Sequence, residues 1–590
     1  MRIGGRTWAW PGRSLGVPAF FCALLTAAAA LAQGVQVPGS AEPGRLQERI
    51  QPRPGPAPTP EIISPEVPEA VPPSEAEQVH FELRRVVIEG STVYSEAQFA
   101  PLYAPLLGKT VSLLDIYRLA DAITVKYRSD GYVLSRAVVP AQRIVDGVVR
   151  ISVVEGFINR TIIDGEDDPA IRSYAAQIRQ SRPLKASDME RYLLLMNDLP
   201  GVRARGVLAP SSGVPGGSDL TIIVERRPVG ITTSLDNRGS KFVGPLQLFN
   251  EGQLNNPLGM SDNTLLRYLT VPGHAAELRY LELAETVPLG SEGTKFSFSA
   301  SRSDSEPAST LHTDTLDTET KALTLFSKLS HPLIRGRSEN LYADMTFTYR
   351  NTTVDQFSLP SGTRLTSSYD DRIRAIRAGV SYDVEDGWEG RDFMRFELSQ
   401  GLPLLRSSES GRMSNTSRPG ALSHFTKATF DASRQQGLPD VMRGLGFLTA
   451  FSSEWSFNKP LLASEQFGVG GATFGRAYDP SEITGDYGAA VRAELQYDVD
   501  TAAEGFADGR LQFYSFYDFG AVRDINPVAL NEEKRSRSIA STGVGVRLGW
   551  ANHVAGDLQV AKPLTRPVSA FSDSSDPNPW RVFFALVGTF

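Results

Sequence analysis

Few residues of this sequence have the type and spacing that catalysis or metal binding would need. Cys22 is the only cysteine, and neither a nucleophile elbow nor a phosphate-binding loop occurs. Gly468-Val469-Gly470-Gly471 lacks the third glycine and the following helix of a dinucleotide site. The six histidines are scattered, without metal-ligand spacing: His80, His274, His312, His331, His424 and His553. We therefore expect no enzyme activity, metal, cofactor or nucleotide.

One glycine-rich segment, residues 467–486, carries an arginine that could form a buried ion pair. Its glycine content gives more backbone freedom than a solvent-facing loop needs, and favours a loop that folds back into a cavity. Arg476 is the natural anchor, because a guanidinium can bind a carboxylate through two hydrogen bonds. Alternation over Arg510–Gly520 places Phe516 and Asp518 on one face of a strand. The residues alone leave two interpretations open, an Arg476–Asp518 pair or two unrelated charges.

The elements that would position these residues are β-strands. After Pro228 a period of two replaces helical periodicity and continues to the end of the chain. In Tyr487–Tyr497 and Ala540–Trp550 one face is apolar and the other is polar or small. A soluble sandwich also alternates, but charged inner faces and aromatic residues at strand ends favour a membrane barrel. About 16 candidate strands in residues 229–590 predict an antiparallel 16-stranded transmembrane β-barrel, with the Arg476 loop between its eleventh and twelfth strands.

The last strand supports this interpretation. In Trp580–Phe590 alternate residues are apolar, and the chain ends on an aromatic residue. This ending is similar to the sorting signal of bacterial outer-membrane barrels, so we predict that Phe590 is a barrel sorting signal.

The first 78 residues are predicted to precede the folded domains. Residues 1–32 have the basic start, the apolar stretch Val17–Leu31 and the small-residue cleavage site of an export signal, with an uncleaved anchor as the alternative. Residues 33–78 hold a short helix candidate, Gly44–Gln51, and a proline-rich extended linker.

Residues 79–228 contain a duplicated module. A shift of 70 residues aligns Gly131 with Gly201 and Pro140 with Pro210. Each copy, residues 79–156 and residues 157–228, is predicted to be a small α/β unit of strand, helix, helix, strand and strand. Helix caps are predicted at Ser95, Ser112 and Ser187, and strands at Phe81–Ile88, Tyr132–Val139 and Phe157–Ile163.

Composition and charge exclude two further classes. The chain of 590 residues has a formal net charge of −7, so it lacks the basic excess that nucleic-acid binding requires. Beyond the first 35 residues no apolar run approaches the roughly 20 residues of a spanning helix. The latter observation excludes a helical membrane protein and leaves a barrel open.

Taken together, these residues resemble a known family, the two-partner secretion outer-membrane transporters of the haemolysin-activation type. These belong to the superfamily of barrels preceded by POTRA domains. Tyr127–Tyr132 and Ser135–Pro140 resemble the characteristic run of the first POTRA module. The family's loop motif is Val-Arg-Gly followed by Tyr or Phe, and its partner motif is Phe-x-Asp. They are matched here by Gly475-Arg476-Ala477-Tyr478, with alanine in place of the glycine, and by Phe516-Tyr517-Asp518.

The resemblance implies both a mechanism and a localisation. The POTRA modules would face the periplasm and capture an unfolded exoprotein by pairing with a strand edge. The client would then cross the outer membrane through the barrel, once the loop and any plugging helix move. The resemblance also implies that Arg476 pairs with Asp518 in the lumen. The client-binding edge is predicted at Tyr132, Val133, Leu134, Ser135 and Arg136, with a strand used only within the module's own sheet as the alternative.

We expect a monomer that contacts outer-membrane lipid and a secreted exoprotein. The nearest rival is an insertase for outer-membrane proteins, which usually has three or more POTRA modules where this sequence has room for two. A passive porin leaves the duplicated modules unexplained, and a secreted adhesin leaves Phe590 unexplained.

Overall fold

The computed structural model describes residues 37–46, 75–166, 168–308, 312–408, 415–418, 420–499, 501, 509–525, 535–551, 553–571 and 575–590. The predicted signal peptide, residues 1–32, lies outside these residues. So does most of the predicted linker and all but the start of the helix candidate Gly44–Gln51.

The first module folds as a small sheet covered by helices. Its elements are β1 His80–Glu82, β2 Arg85–Glu89, α1 Glu96–Tyr103, β3 Thr110–Ser112, α2 Leu113–Ser129, β4 Arg136–Val138 and β5 Val148–Val154. The sheet order is β2-β5-β4, with β2 parallel to β5, and β1 pairs separately with β3. Capping boxes at Ser95 and Ser112 start the two helices as predicted.

The second module repeats this topology. It comprises β6 Phe157–Gly165, α3 Pro169–Gln180, α4 Ala186–Asn197, β7 Val202–Pro210 and β8 Gly217–Arg226, and its sheet order is β6-β8-β7. As in the first module, the first strand is parallel to the central strand and the other outer strand is antiparallel. Among the described residues no helix has the length and apolar character needed to cross a membrane.

Two predicted details of the modules are wrong. Phe81–Ile88 is not one strand, because the chain breaks at fully buried Leu83 and its halves join different sheets. Ser187 is not a helix cap, because α4 begins at Ala186. The preceding turn is held instead by Ser181, whose Oγ donates to Asp188 and accepts from the backbone amide of Lys185.

Sixteen long antiparallel strands close into a barrel, which confirms the predicted fold class. The strands are β9 Val229–Asp236, β10 Gln247–Asn255, β11 Asn263–Thr270, β12 Arg279–Leu289, β13 Thr294–Ser305, β14 Leu316–Arg335, β15 Glu339–Ser358, β17 Tyr369–Glu385, β18 Gly390–Gly401, β19 Thr426–Gly437, β20 Leu445–Trp455, β23 Tyr487–Val499, β24 Gly509–Arg523, β25 Ser536–Trp550, β26 Val554–Pro563 and β27 Arg581–Thr589. A two-residue strand, β16 Thr363–Arg364, pairs with the end of β15. β27 pairs with β9 and so closes the barrel.

Along each barrel strand the side chains point alternately towards the lipid and towards the lumen, as predicted. On β24 the side chains of Phe513 and Tyr517 are about half exposed on the outer surface, whereas Tyr514, Phe516 and Asp518 are buried on the inner face. An apolar outside and a polar inside are what a barrel in a bilayer requires.

Candidate functional site

The glycine-rich segment folds back into the lumen as a hairpin. Its two ends, β21 Phe467–Val469 and β22 Ile483–Gly485, pair with each other as a separate two-stranded sheet. Gly470 has a φ of +123°, and a Cβ there would lie 2.2 Å from the carbonyl oxygen of Asp479. The sharp bend of the hairpin therefore needs glycine at this position. We call residues 467–486 the hairpin.

Arg476 at the hairpin tip binds two buried carboxylates of the barrel wall. Its Nε and Nη2 donate to the two oxygens of Asp518 at 3.0 and 2.9 Å, and its backbone amide donates to Asp518 at 3.0 Å. Its Nη1 donates to Glu494 at 2.6 Å. The guanidinium carbon lies 3.5 Å from the ring centre of Phe516, a cation–π contact. The structure thus brings Arg476, Phe516 and Asp518 together.

Glu494 is a partner of Arg476 that the sequence analysis did not single out. It also accepts hydrogen bonds from Arg492 and Arg547, at 2.6 and 2.7 Å. Each carboxylate at the tip is fully buried and is compensated by charged donors, as a buried charge must be. The signal that could have found Glu494 is its position on the polar face of β23, the strand beside Asp518.

The residues around Arg476 hold the hairpin backbone. Gly475 has a φ of +74°, the left-handed region that favours glycine. Ala477 does not have a positive φ and is fully buried, so the methyl group that replaces the family glycine is accommodated. Its carbonyl accepts from Arg581 at 2.9 Å. The hydroxyl of Tyr478 donates to the carbonyl of Arg566 at 3.2 Å.

The chain leading into the hairpin is attached to the barrel wall a second time, with the charges exchanged. Here the carboxylate belongs to the loop and the cations to the wall. Glu465 is fully buried, and it accepts from Arg377 at 2.7 Å and lies 3.0 Å from the ammonium of Lys427. Arg350 adds a third positive charge at 3.6 Å. The loop is therefore held to the wall by charge at both its entrance and its tip.

A second segment, residues 37–46, also lies in the lumen, and we call it the N-terminal segment. It forms two short 3₁₀ turns, Gly39–Ala41 and Pro43–Arg45. Arg45 donates to the carbonyl oxygens of Ala463 and Gln466 at 3.0 and 2.7 Å. Glu42 accepts from the hydroxyl of Tyr369 at 2.5 Å.

Among the described residues, a cavity of about 1130 Å³ lies in the lumen beside these two segments. The N-terminal segment and the hairpin line one side of it, and barrel-wall side chains line the other. These wall residues include Arg267, Lys328, Arg350, Arg377, Arg395, Glu397 and Asp431. The barrel is therefore a polar pore that the two segments partly fill.

Comparison with known proteins identifies the family. A model of the haemolysin secretion/activation proteins ShlB/FhaC/HecB matches residues 216–548, and a ShlB-type POTRA domain model matches residues 81–156. The chain belongs to the ShlB/FhaC/HecB family. This confirms the resemblance drawn from the sequence.

Relatives and solved structures agree with this family. The chain is 24% identical over 484 residues to the heme/hemopexin transporter protein HuxB of Haemophilus influenzae, covering 80% of this chain and 81% of the relative. It is 24% identical over 507 residues to the outer membrane transporter CdiB of Escherichia coli, covering 82% and 79%. The solved structure of CdiB from Escherichia coli has the same fold, with a TM-score of 0.69, 21% identity and coverage of 89% and 93%. CdiB from Acinetobacter baumannii gives a TM-score of 0.60 at 14% identity, covering 97% of each chain.

Membership of the ShlB/FhaC/HecB family fixes the class of function. The chain is an outer-membrane transporter of two-partner secretion that exports an exoprotein, and its POTRA modules lie in the periplasm. The hairpin, which connects barrel strands at the end opposite to the POTRA modules, therefore originates on the extracellular side.

The predicted client-binding edge is in large part not a strand. Of Tyr132, Val133, Leu134, Ser135 and Arg136, only Arg136 lies in β4. Leu134 packs against the core of the second module, and the Oγ of buried Ser135 accepts from the backbone amide of Gly156 at 3.0 Å. The chain turns here because these residues join the two modules. The strand predicted over Tyr132–Val139 is therefore wrong for its first half.

The second POTRA module is attached to the periplasmic rim of the barrel. Asp198, just after α4, accepts two hydrogen bonds of 2.8 Å from the buried guanidinium of Arg335. At the start of α3, Asp168 pairs with Arg226 and accepts from Ser261 of the barrel. Burial would raise the pKa of Asp168, but the hydrogen bonds from Ser261 and the Ile171 amide, with the Arg226 charge, hold it below its usual value. The module is thus fixed at the mouth of the pore.

The C-terminal Phe590 lies at the closing seam of the barrel. Its backbone exchanges two hydrogen bonds with Ile231 of β9, at 2.9 and 3.0 Å. Its side chain is 69% exposed on the outer surface. A sorting role for this exposed aromatic residue stays a prediction. Among the described residues no His, Cys, Asp and Glu side chains cluster in a way that could hold a metal ion.

Proposed function

We propose that this protein exports one unfolded exoprotein through its own lumen, and that the N-terminal segment is the part that leaves to make room. The observation that carries the proposal is the unequal hold on the two lumen segments. Arg476 attaches the hairpin to two buried carboxylates of the wall. The described polar contacts of the N-terminal segment are instead those of Arg45 with carbonyl oxygens of the loop and of Glu42 with the hydroxyl of Tyr369 on the wall. In this proposal the hairpin stays attached at Arg476 and forms part of the wall of the open pore.

The client is captured at a free strand edge of the POTRA modules. Backbone pairing recognises an extended chain without requiring a particular sequence, which suits an unfolded client. Within the described residues β4 and β7 each pair with a strand on one side only. β6 and β7 are the longest of the four edge strands of the modules' three-stranded sheets, with nine residues each, whereas β4 Arg136–Val138 has three. β7 occupies in the second module the place that β4 has in the first, so we take β7 as the template. Tyr132–Ser135 contribute by setting the angle between the modules.

We attribute the direction of transport to the client itself. The sequence carries no P-loop, so we infer that folding of the exoprotein outside the cell prevents its return. A repetitive β-rich exoprotein would fold in this way as it emerges. The closed barrel supplies a complete pore from one chain, which supports a monomeric transporter.

The test is co-expression with a large secreted protein of repeated β-strands, sought among the genes that neighbour this one. Surface release of that protein is measured with the wild-type transporter, without it, and with a variant lacking residues 79–228. We expect release only with the full-length chain. Release without the chain would overturn the proposal, and loss of unrelated outer-membrane barrels on its depletion would point to an insertase instead.

A further inference from the structure

A groove on the outer surface of the barrel has no role in the export function described above. Its floor is formed by three small residues, Ser453 on β20, Ala489 on β23 and Ala521 on β24. They are neighbours in the strand register, so three adjacent strands lack bulky outward side chains at one level. The groove has a volume of about 470 Å³, which is within the roughly 300–1,000 Å³ typical of ligand sites.

Aromatic side chains wall the groove. Trp455 and Tyr487 are register partners on its extracellular side, and their rings meet edge to face with centroids 4.9 Å apart. Phe430, the register partner of Ser453, closes a third side from β19. Such a trough of small residues between aromatic rings has the shape and polarity that an acyl chain requires.

The position of the groove places it in the outer leaflet. β20 ends at Trp455 where the chain enters the extracellular loop, and β23 starts at Tyr487 where the chain leaves it. The floor lies one register row nearer the membrane centre than these two residues. A lipid in the groove would therefore have its headgroup at the extracellular surface.

At the extracellular end of the groove, the described residues that face outward carry positive charge and include no carboxylate. Arg523, the register partner of Tyr487, lines the groove and is exposed, and it makes no ion pair with any described residue. Lys459 is exposed in the turn after β20, which is tied to the groove wall because the Asn458 amide donates to the Tyr487 hydroxyl at 2.8 Å. Three described carboxylates near this end are buried on the inner face: Glu454, Asp486 and Asp524.

We propose that this groove binds lipopolysaccharide, with an acyl chain on the small-residue floor and a phosphate of the headgroup on Arg523. Among outer-membrane lipids, this glycolipid combines acyl chains with phosphates at the extracellular surface, which matches both the level of the groove and its charge. A general aromatic belt requires neither a floor of small residues nor an exposed guanidinium that makes no ion pair among the described residues. A lipid bound in the groove would fix the orientation of the barrel in the membrane. It would do so at β23 and β24, the two strands that bind the hairpin.

The test uses the full-length protein in nanodiscs and native mass spectrometry with added lipid. The probes are bis-phosphorylated lipid A, the same lipid without phosphates, and phosphatidylglycerol. Arg523→Gln removes the cation, whereas Ala489→Leu fills the floor and keeps the surface apolar. The matched controls lie on β13. Arg302→Gln changes an outward arginine that is already paired with Asp304. Ala300→Leu adds the same bulk where the register partners on both sides are leucines, Leu283 and Leu325.

We expect Arg523→Gln to weaken binding of bis-phosphorylated lipid A roughly tenfold, which is about 1.4 kcal/mol, because the variant loses a charge-assisted hydrogen bond to a phosphate. Binding of the dephosphorylated lipid should not change with this variant. Ala489→Leu should weaken both forms, and the two controls neither. Wild-type affinity in Arg523→Gln would overturn the proposal. Equal affinity of the wild type for phosphatidylglycerol and lipid A would overturn the assignment to lipopolysaccharide. If Ala489→Leu fails to assemble, the Arg523→Gln result decides alone.

Discussion

The two segments that share the lumen are held in different ways. The hairpin is attached to the wall by ionic contacts, with Arg476 between Asp518 and Glu494 and with Glu465 among three cations. The described part of the N-terminal segment rests on the loop through Arg45 and reaches the wall through Glu42. Charge-assisted contacts between buried partners are costly to break. The difference suggests a fixed hairpin and a removable N-terminal segment.

The largest expected effect comes from covalently fixing each segment in turn, in a Cys22→Ser background. A Cβ at Gly44 would lie 3.0 Å from Oγ1 of Thr352 on β15 and 2.7 Å from the Cβ of Ser464. Gly44→Cys with Thr352→Cys can therefore join the N-terminal segment to the wall when Ser464→Gly makes room for the new side chain. We expect this disulfide to abolish export of the client and a reductant to restore it. Export is measured as surface-released client.

The matched control fixes the hairpin. A Cβ at Gly520 of β24 would lie 3.2 Å from the Cβ of Val469, so Val469→Cys with Gly520→Cys joins the hairpin to the wall. Export should continue in this variant, because the hairpin already stays in place. Export that stops only when the hairpin is fixed would reverse the assignment of the moving part.

The next effect is that of Arg476→Ala. It leaves Asp518 and Glu494 buried with fewer donors and releases the hairpin tip, a loss of about 3–5 kcal/mol for a broken buried pair. We expect client release to fall roughly tenfold or more, while barrel insertion, followed by heat-modifiable migration, continues. Arg492→Ala is the control, because Arg492 binds Glu494 without touching the hairpin. Normal export by Arg476→Ala would remove the role given to the hairpin.

A smaller effect is expected from Arg45→Ala. It removes two charge-assisted hydrogen bonds from the N-terminal segment and none from the hairpin. The segment should then leave the empty barrel more often, and open-channel conductance in planar bilayers should rise roughly fivefold or more. Export should be retained. Unchanged conductance would show that other contacts hold the segment.

The smallest effect is expected at Ala477. Because its backbone does not have a positive φ, restoring the family glycine relieves no strain and adds freedom to the unfolded chain. Ala477→Gly should lower the stability of the folded barrel by less than about 1 kcal/mol, measured by urea unfolding in detergent. A gain in stability would mean that the alanine strains the hairpin.

Much of the fold was predictable because it depends on local patterns. Period-two alternation located the barrel strands, and the capping boxes at Ser95 and Ser112 located two helix starts. Ser187 failed as a cap because Ser181, six residues earlier, holds the turn. Tyr132–Ser135 failed as a strand because contacts with the second module outweigh β propensity there.

The candidate site was predictable only in part. The alternation of side chains along β24 placed Asp518 on the lumen face, and the family motif selected it as the partner of Arg476. The Phe-x-Asp motif identifies Asp518 and no second partner, so Glu494 was missed. A buried guanidinium has enough donors to bind two carboxylates, as Arg476 does. The place of the N-terminal segment depends on contacts such as Arg45 with Gln466, more than 400 residues apart, which no local pattern encodes.

The measurement that tests the account most directly is whether the client touches the lumen wall during export. In a Cys22→Ser background, a cysteine is placed at Thr348, whose side chain lines the lumen cavity, or at Thr449, which is exposed on the outer surface. A client carrying single cysteines is stalled during export, and disulfide formation with the barrel is scored. The account predicts cross-links to Thr348→Cys and none to Thr449→Cys. Cross-links at neither site, or only at Thr449→Cys, would contradict passage through the lumen.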